Sequence, residues 1–365
     1  MKDLLYSDVE TQLRDGVRDA LARRSPVATV LAGIESGQPY DRDLWRTLAV
    51  EMGLAGIAVP EKFGGAGGSL REAAVVLEEL GRGVAPVPYL TSAIVATSAL
   101  LACGAGDELA ALASGQAIAV LAVPFAKGPF PGTAGAPAVA VDADGYLSGT
   151  VAGVADALAA TLLLVPTADG LYAVDASAPG VTRAAVVPLD LTRPIADVSL
   201  AAVAGRRVAE GPQAAAAVDA GLLTGAALLA SEQLGVAQWC LDTTVEYVKQ
   251  RHQFGRPVGS FQAVKHRLAD VWVELTQVRA VARHAAACAA EGDADLAVAA
   301  SLAQAFCSPA AVHAAEECVQ LHGGIGFTWE HPAHLFLKRA KADAIAYGTA
   351  DRHRVHLAAL VDLPG

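Results

Sequence analysis

The sequence predicts an α+β chain that is mostly α: helices first, then a small β-domain, then long helices. Three observations carry this. The composition is 53% hydrophobic but only 5% aromatic, and much of the apolar content is alanine, which favours close-packed helices over an aromatic-rich β-protein. The hydrophobic period changes twice, dividing the chain into an N-terminal helical domain (1–116), a middle β-domain (117–211) and a C-terminal helical bundle domain (212–365). The third zone keeps apolar residues on one helical face over two unusually long runs, and helices of that length usually sit in bundles.

In the first zone, Ser7-Asp8-Val9-Glu10 is a capping box, and Leu13, Val17 and Leu21 follow on one face. A second helix is expected over 41–52, ending at Gly53. The segment 59–69 carries Gly64, Gly65, Gly67 and Gly68, so it reads as turns. Helices resume near 70–81 and 90–103. In the middle zone, short aliphatic runs at 117–123, 138–142, 161–165, 171–174 and 181–187 alternate with Gly and Pro, and Asp144-Gly145 is a hairpin turn. In the third zone, Leu222, Leu229, Val236, Cys240 and Tyr247 share a face. A continuous helix over 214–249 would be about 50 Å long. The next helix turns Val264, Leu268, Val271, Leu275, Val278 and Ala282 inward, and Lys265, Arg267, Asp270, Glu274 and Arg279 outward.

Composition also excludes. Lys and Arg number 27 against 38 Asp and Glu, a net charge of −11, which argues against nucleic acid as a partner. Cys103, Cys240, Cys288, Cys307 and Cys318 form no C-x-x-C pair, so they read as reduced thiols of a cytoplasmic protein. The first ten residues lack a basic and an apolar region and do not read as a signal peptide. Asp156 and Asp219 interrupt the most apolar stretches, so no membrane span is expected.

Two segments carry chemistry. Gly255, Pro257 and Gly259 bend the chain between the two long helices and display Arg251, Gln253, Phe254 and Gln262. A guanidinium is a planar fork for a pyrophosphate. An aromatic ring stacks on a purine, and Gln262 opens a helix whose first N–H groups favour anions. The alternative is an interhelical loop with solvated arginines. In Gln320-Leu321-His322-Gly323-Gly324-Ile325-Gly326, a helix ends in glycines that let a ligand approach the main chain. Gln320 and the free N–H groups could hold phosphate or ribose oxygens, although a simple glycine helix cap is the plainer account. His322 reads as structural, and His331 and His334 as loop or helix-start residues rather than metal ligands. The sequence has no dinucleotide fingerprint, P-loop or nucleophile elbow.

Together these segments resemble the acyl-CoA dehydrogenase family over essentially the whole chain. The resemblance rests on Val59 to Gly67, Glu78-Glu79-Leu80-Gly81, Arg251-x-Gln253-Phe254-Gly255-x-Pro257, Gln320-x-His322-Gly323-Gly324-x-Gly326, and the last helices over 335–348 and 351–360. It implies a C-terminal four-helix bundle, a tetramer built as a pair of dimers, FAD, and oxidation of an acyl-CoA to the 2,3-enoyl-CoA with electrons passed to an electron-transferring flavoprotein. In this family a glutamate removes the α-proton.

Two departures from the family pattern matter. The glutamate usually precedes a Gly-Thr near the C-terminus, and here Tyr347 stands before Gly348-Thr349. A phenol with an ordinary pKa near 10 is a poor base. The alternative base position, on the first long C-terminal helix, falls near Thr224 and Gly225, and the nearest acids there are Asp219 and Glu232. The family's Thr-Glu-Pro and Gly-Ser-Asp segment, which holds the flavin ring, is replaced by residues Val123 to Gly132, and its Trp-Ile-Thr strand by Ala152 to Ala157.

The resemblance is therefore to the non-catalytic subunit of actinobacterial α2β2 acyl-CoA dehydrogenases, several of which act on steroid-derived CoA thioesters. It implies no catalytic residue in this chain. Arg251, Gln253, Phe254, Gln262, Gln320, Gly323 and Gly324 would complete the ADP half of an FAD seated mainly in a homologous partner. The alternatives are a self-sufficient homotetramer with Glu232 or Glu246 as relocated base, and a flavin-free acyl-CoA-binding scaffold.

Overall fold

A computed structural model describes residues 4–38, 40–130 and 137–363. Pro131 and Gly132 of the substituted flavin-ring segment, and the first three residues of the N-terminus, lie outside the described residues.

The first layer is helical: α1 (Asp8–Arg24), α2 (Val27–Glu35), α3 (Arg42–Arg46), α4 (Leu70–Arg82), α5 (Thr97–Cys103) and α6 (Gly106–Ala113). The Ser7 hydroxyl accepts from the Glu10 N–H while Glu10 receives the Ser7 N–H, so the capping box forms as expected. The helix expected over 41–52 is α3 continued by wide π-type turns at Thr47–Glu51, and the one expected over 90–103 is α5 preceded by similar turns at Tyr89–Ala96. Sequence reasoning missed α2 and α6, which span only nine and eight residues.

Strands β1 (Ala119–Leu121) through β8 (Arg206–Glu210) follow; between them are β2 (Val139–Val141), β3 (Tyr146–Ala155), β4 (Leu162–Pro166), β5 (Gly170–Asp175), β6 (Val181–Val186) and β7 (Ile195–Ala204). They form two four-stranded sheets, ordered β1-β4-β5-β8 and β2-β3-β7-β6. The β2–β3 turn is tied by the Asp142 carboxylate, which accepts from the Asp144 and Tyr146 N–H groups. β3 and β8 escaped the sequence reading because glycines or charged residues break their alternation; β7 escaped it although Ala196, Val198 and Leu200 alternate with Asp197 and Ser199.

Then come α7 (Gly211–Gln250), α8 (Gln262–Glu291), α9 (Leu296–His322), α10 (Ala333–Asp343) and α11 (Ala350–Leu360). With 40 residues, α7 runs about 60 Å. By length and composition α7 and the stretch Leu296–Phe327 could cross a membrane; here the apolar positions of α7, such as Leu222, Leu229 and Val236, are the bundle core. α4 crosses α7 at backbone contact. A Cβ on Gly81 would lie 2.2 Å from the Glu232 carbonyl oxygen, and one on Gly235 would lie 1.9 Å from that of Glu78. Larger residues at either place would force the helices apart.

The helix expected over 335–348 ends earlier, at Asp343. Tyr347 adopts a left-handed conformation (φ 52°), and its N–H donates to the Phe125 carbonyl at 2.9 Å. A contact to the β-domain thus replaces the last helical turn.

Candidate functional site

Tyr347, at the position where the family keeps its base, is buried at 3% exposure. Phe125 packs edge-on against its ring at 5.6 Å. A Cβ on Gly225, the alternative base position, would come within 3.3 Å of that ring. The cavity left among Thr91, Val95, Val123, Phe125, Ala155 and Tyr347 measures about 20 Å³. That is about the space of one water molecule, and far too little for a thioester or a flavin ring, since ligand clefts span roughly 300–1,000 Å³. Burial pushes the Tyr347 phenol above its ordinary range, so it is a still weaker base than its residue type suggests.

Beneath this plug lies a buried ionic network that sequence reasoning missed. Glu232 on α7 accepts, through one carboxylate oxygen, from both Arg193 of the β-domain and Arg339 of α10. Arg339 also donates to Asp190 and, at 2.6 Å, to the Thr192 hydroxyl. Arg193 donates to Asp343 at 3.1 Å. Asp156 lies close enough to interact with both guanidiniums and accepts from the Thr91 hydroxyl at 2.7 Å. Two guanidiniums face four carboxyl groups, so the network balances only if two carboxyls hold protons. Burial pushes Asp156 up to about 6. Burial and the neighbouring Glu232 charge push Asp343 well above the usual range. No local motif announces these residues, because partners such as Arg193 and Asp343 are 150 positions apart.

Of the two acids considered as relocated bases, Glu232 is spent on this network. Glu246 is exposed and paired with Lys249 at 2.9 Å. Neither lines the residual cavity.

The second region lies at the turn end of the bundle. Arg251, Gln253, Phe254, Gln262, Gln320, Gly323 and Gly324 are all exposed there. Two contacts bring their segments to one end. Tyr247, four residues before Arg251, stacks on His322 with ring centroids 4.4 Å apart. Arg267, five residues after Gln262, clasps Glu317 with two bonds of 2.6 Å. Phe254 is 91% exposed and holds a left-handed backbone (φ 53°), a conformation that is strained for a residue with a Cβ. Arg256 lies over the Phe261 ring at 4.0 Å. Nothing stands within 4 Å of where a Cβ would be on Gly323 or Gly324, so the main chain there is open to close approach.

His322 is structural, as expected: it is buried, and its Nδ1–H donates to the Cys318 carbonyl at 2.7 Å. Guanidinium, amides, an exposed ring and bare glycine backbone form a donor set suited to a nucleotide diphosphate. The residues around Tyr347 offer no corresponding room for an isoalloxazine.

Comparison with known proteins gives the family. Residues 7–109 match the acyl-CoA dehydrogenase N-terminal domain model and residues 215–361 the C-terminal domain model. The acyl-CoA dehydrogenase IpdE2 of Mycobacterium tuberculosis is 38% identical over 335 residues, covering 91% of each chain. Among solved structures, a Tcur3481–Tcur3483 steroid ACAD is 34% identical with a TM-score of 0.85, covering 97% of this chain and 98% of that one. The ChsE4–ChsE5 complex from Mycobacterium tuberculosis is 28% identical with a TM-score of 0.87 over the full length of both chains. The chain belongs to the acyl-CoA dehydrogenase family of oxidoreductases.

Proposed function

We propose that this chain is the non-catalytic subunit of a heteromeric, FAD-dependent acyl-CoA dehydrogenase, α2β2 in composition. It completes the ADP half of a coenzyme seated mainly in a homologous partner. The observation that carries this is the contrast between its two regions: the place for a base and a flavin ring is packed shut by Tyr347 and Phe125, whereas the seven nucleotide-type residues stand exposed at one end of the bundle.

Arg251 would hold the pyrophosphate, with Gln253, Gln262 and Gln320 on ribose or phosphate oxygens. Phe254 would stack on adenine, and Gly323 and Gly324 would let the main chain come close. When bound, the flavin supplies hydride acceptance, and the proton-abstracting glutamate belongs to the partner. The likeness to a steroid ACAD supports a steroid-derived acyl-CoA as substrate. An electron-transferring flavoprotein is the proposed electron acceptor and the cytoplasm the proposed site of action.

The test is to purify this chain alone and together with a homologue from the same genome that carries the glutamate and the Thr-Glu-Pro segment. The expected result is flavin and turnover only in the pair. Flavin and turnover in the lone chain would favour the self-sufficient homotetramer. A flavin-loaded pair unaffected by Arg251→Ala would favour the scaffold reading.

A further inference from the structure

The five cysteines differ in their surroundings. Cys103 is half-buried, whereas Cys240, Cys288, Cys307 and Cys318 are buried. Cys240 on α7 and Cys318 on α9 face each other in the bundle core, with the Cys240 thiol in hydrogen-bonding contact with the Cys318 sulfur. The Cys318 sulfur also lies 3.7 Å from His322 Nδ1. The coenzyme reading uses neither sulfur.

These contacts set the two thiols apart. The Cys240 thiol and His322 favour a negative Cys318 sulfur and hold its pKa below the ordinary range, against the effect of burial. Burial and the Cys318 charge push the Cys240 thiol well above its own. A thiolate is the reactive form of cysteine, so Cys318 meets an oxidant first while Cys240 keeps its proton. The two residues are 0% and 1% exposed, which excludes a bulky disulfide as oxidant and leaves hydrogen peroxide, little larger than water. The pair also lies against the coenzyme end. His322 stacks on Tyr247 and stands with its ring centroid 4.2 Å from that of His331. Gly323 follows His322 directly, and Arg251 follows Tyr247 by four residues. Both segments of the nucleotide-type donor set are thus anchored beside the Cys318 sulfur.

We infer that Cys240 and Cys318 are a peroxide-sensitive dithiol, whose closure to a disulfide between α7 and α9 loosens the coenzyme held at this end of the bundle. The Cys318 thiolate attacks one oxygen of hydrogen peroxide, the O–O bond breaks, and the other oxygen leaves as hydroxide and takes a proton to become water. Cys318 is then a sulfenic acid. The Cys240 sulfur attacks the Cys318 sulfur, gives up its proton, and displaces the hydroxyl as a second water. Two thiols are oxidised and one peroxide is reduced. The new bond draws the sulfurs closer than a thiol hydrogen bond does, so Cys318 moves away from His322, and the His322–Tyr247 stack shifts with it. Transient disulfides of this kind are the ones a reducing compartment tolerates. The effect on the coenzyme rests on the ADP-half reading proposed above; the dithiol chemistry does not.

The test treats the complex with the homologous subunit with hydrogen peroxide, alkylates the remaining thiols and desalts it. Peptide mass mapping then reads the cysteines, and absorbance reads the retained FAD. The expected result is a cross-linked peptide joining Cys240 to Cys318, Cys103 outside any disulfide although it is the most exposed, loss of most of the FAD, and recovery of both thiols with dithiothreitol. Cys240→Ala should form no disulfide and keep its FAD under the same treatment. Circular dichroism checks its fold, and Cys318→Ala is the second variant. Alkylated Cys240 and Cys318 after peroxide treatment would overturn the inference. So would a Cys240–Cys318 disulfide that leaves the FAD in place, or equal loss of FAD from Cys240→Ala. A complex that holds no FAD before oxidation yet forms the Cys240–Cys318 disulfide would end the coenzyme reading and leave the peroxide-sensitive dithiol standing.

Discussion

The ring of Tyr347 lies over Gly225, so the two positions at which relatives would carry a base occlude one another. A Cβ on Gly225 would meet the ring at 3.3 Å and a Val95 methyl at 2.7 Å. Gly225→Ala should therefore destabilise the chain by about 1–3 kcal/mol through overpacking. Tyr347→Ala should do so by about 3–5 kcal/mol through the cavity it leaves. Urea unfolding midpoints measure both, and a neutral Gly225→Ala would mean the ring is not where the structure puts it.

Glu232 is the keystone of the buried network, since one of its oxygens serves both Arg193 and Arg339. Glu232→Gln leaves two buried guanidiniums short of charge and should cost about 3–5 kcal/mol of stability. In the assembled complex, turnover per folded enzyme should stay unchanged, because Glu232 is not a base. A folded Glu232→Gln complex with abolished turnover would restore it as one.

Asp156 gives the pH dependence a definite sign. Its carboxyl is held up at about 6 in the folded chain against 3.8 ordinarily, so the folded state binds the extra proton. Its stability contribution is complete below about 4, is lost as pH rises to about 6, and is gone above that. Two pKa units correspond to about 3 kcal/mol. The measurement is the difference in unfolding free energy between the protein and Asp156→Asn across this range. The variant should gain relative stability as pH rises, and a loss would reverse the assignment.

Much of this was legible in the sequence because it is local. The capping box at Ser7, the 3.6-residue period of α7 and α8, and the Asp144-Gly145 turn are all set by near neighbours, and all formed. The bent segment from Arg251 to Gln262 and the glycines after Gln320 were visible for the same reason. The closing of the cleft was only half visible. The missing glutamate could be read, but not that Tyr347 would leave its helix to bond Phe125. The network of Arg193, Glu232 and Arg339 had no sequence signal, because it joins three segments that only the tertiary fold brings together.

The most direct measurement is the flavin absorbance of this chain purified alone, of the complex with its homologous subunit, and of the complex carrying Arg251→Ala. The account predicts no flavin in the first, one FAD per pair of chains in the second, and loss of most of it in the third with the assembly intact. A lone chain that retains a full complement of FAD would contradict it.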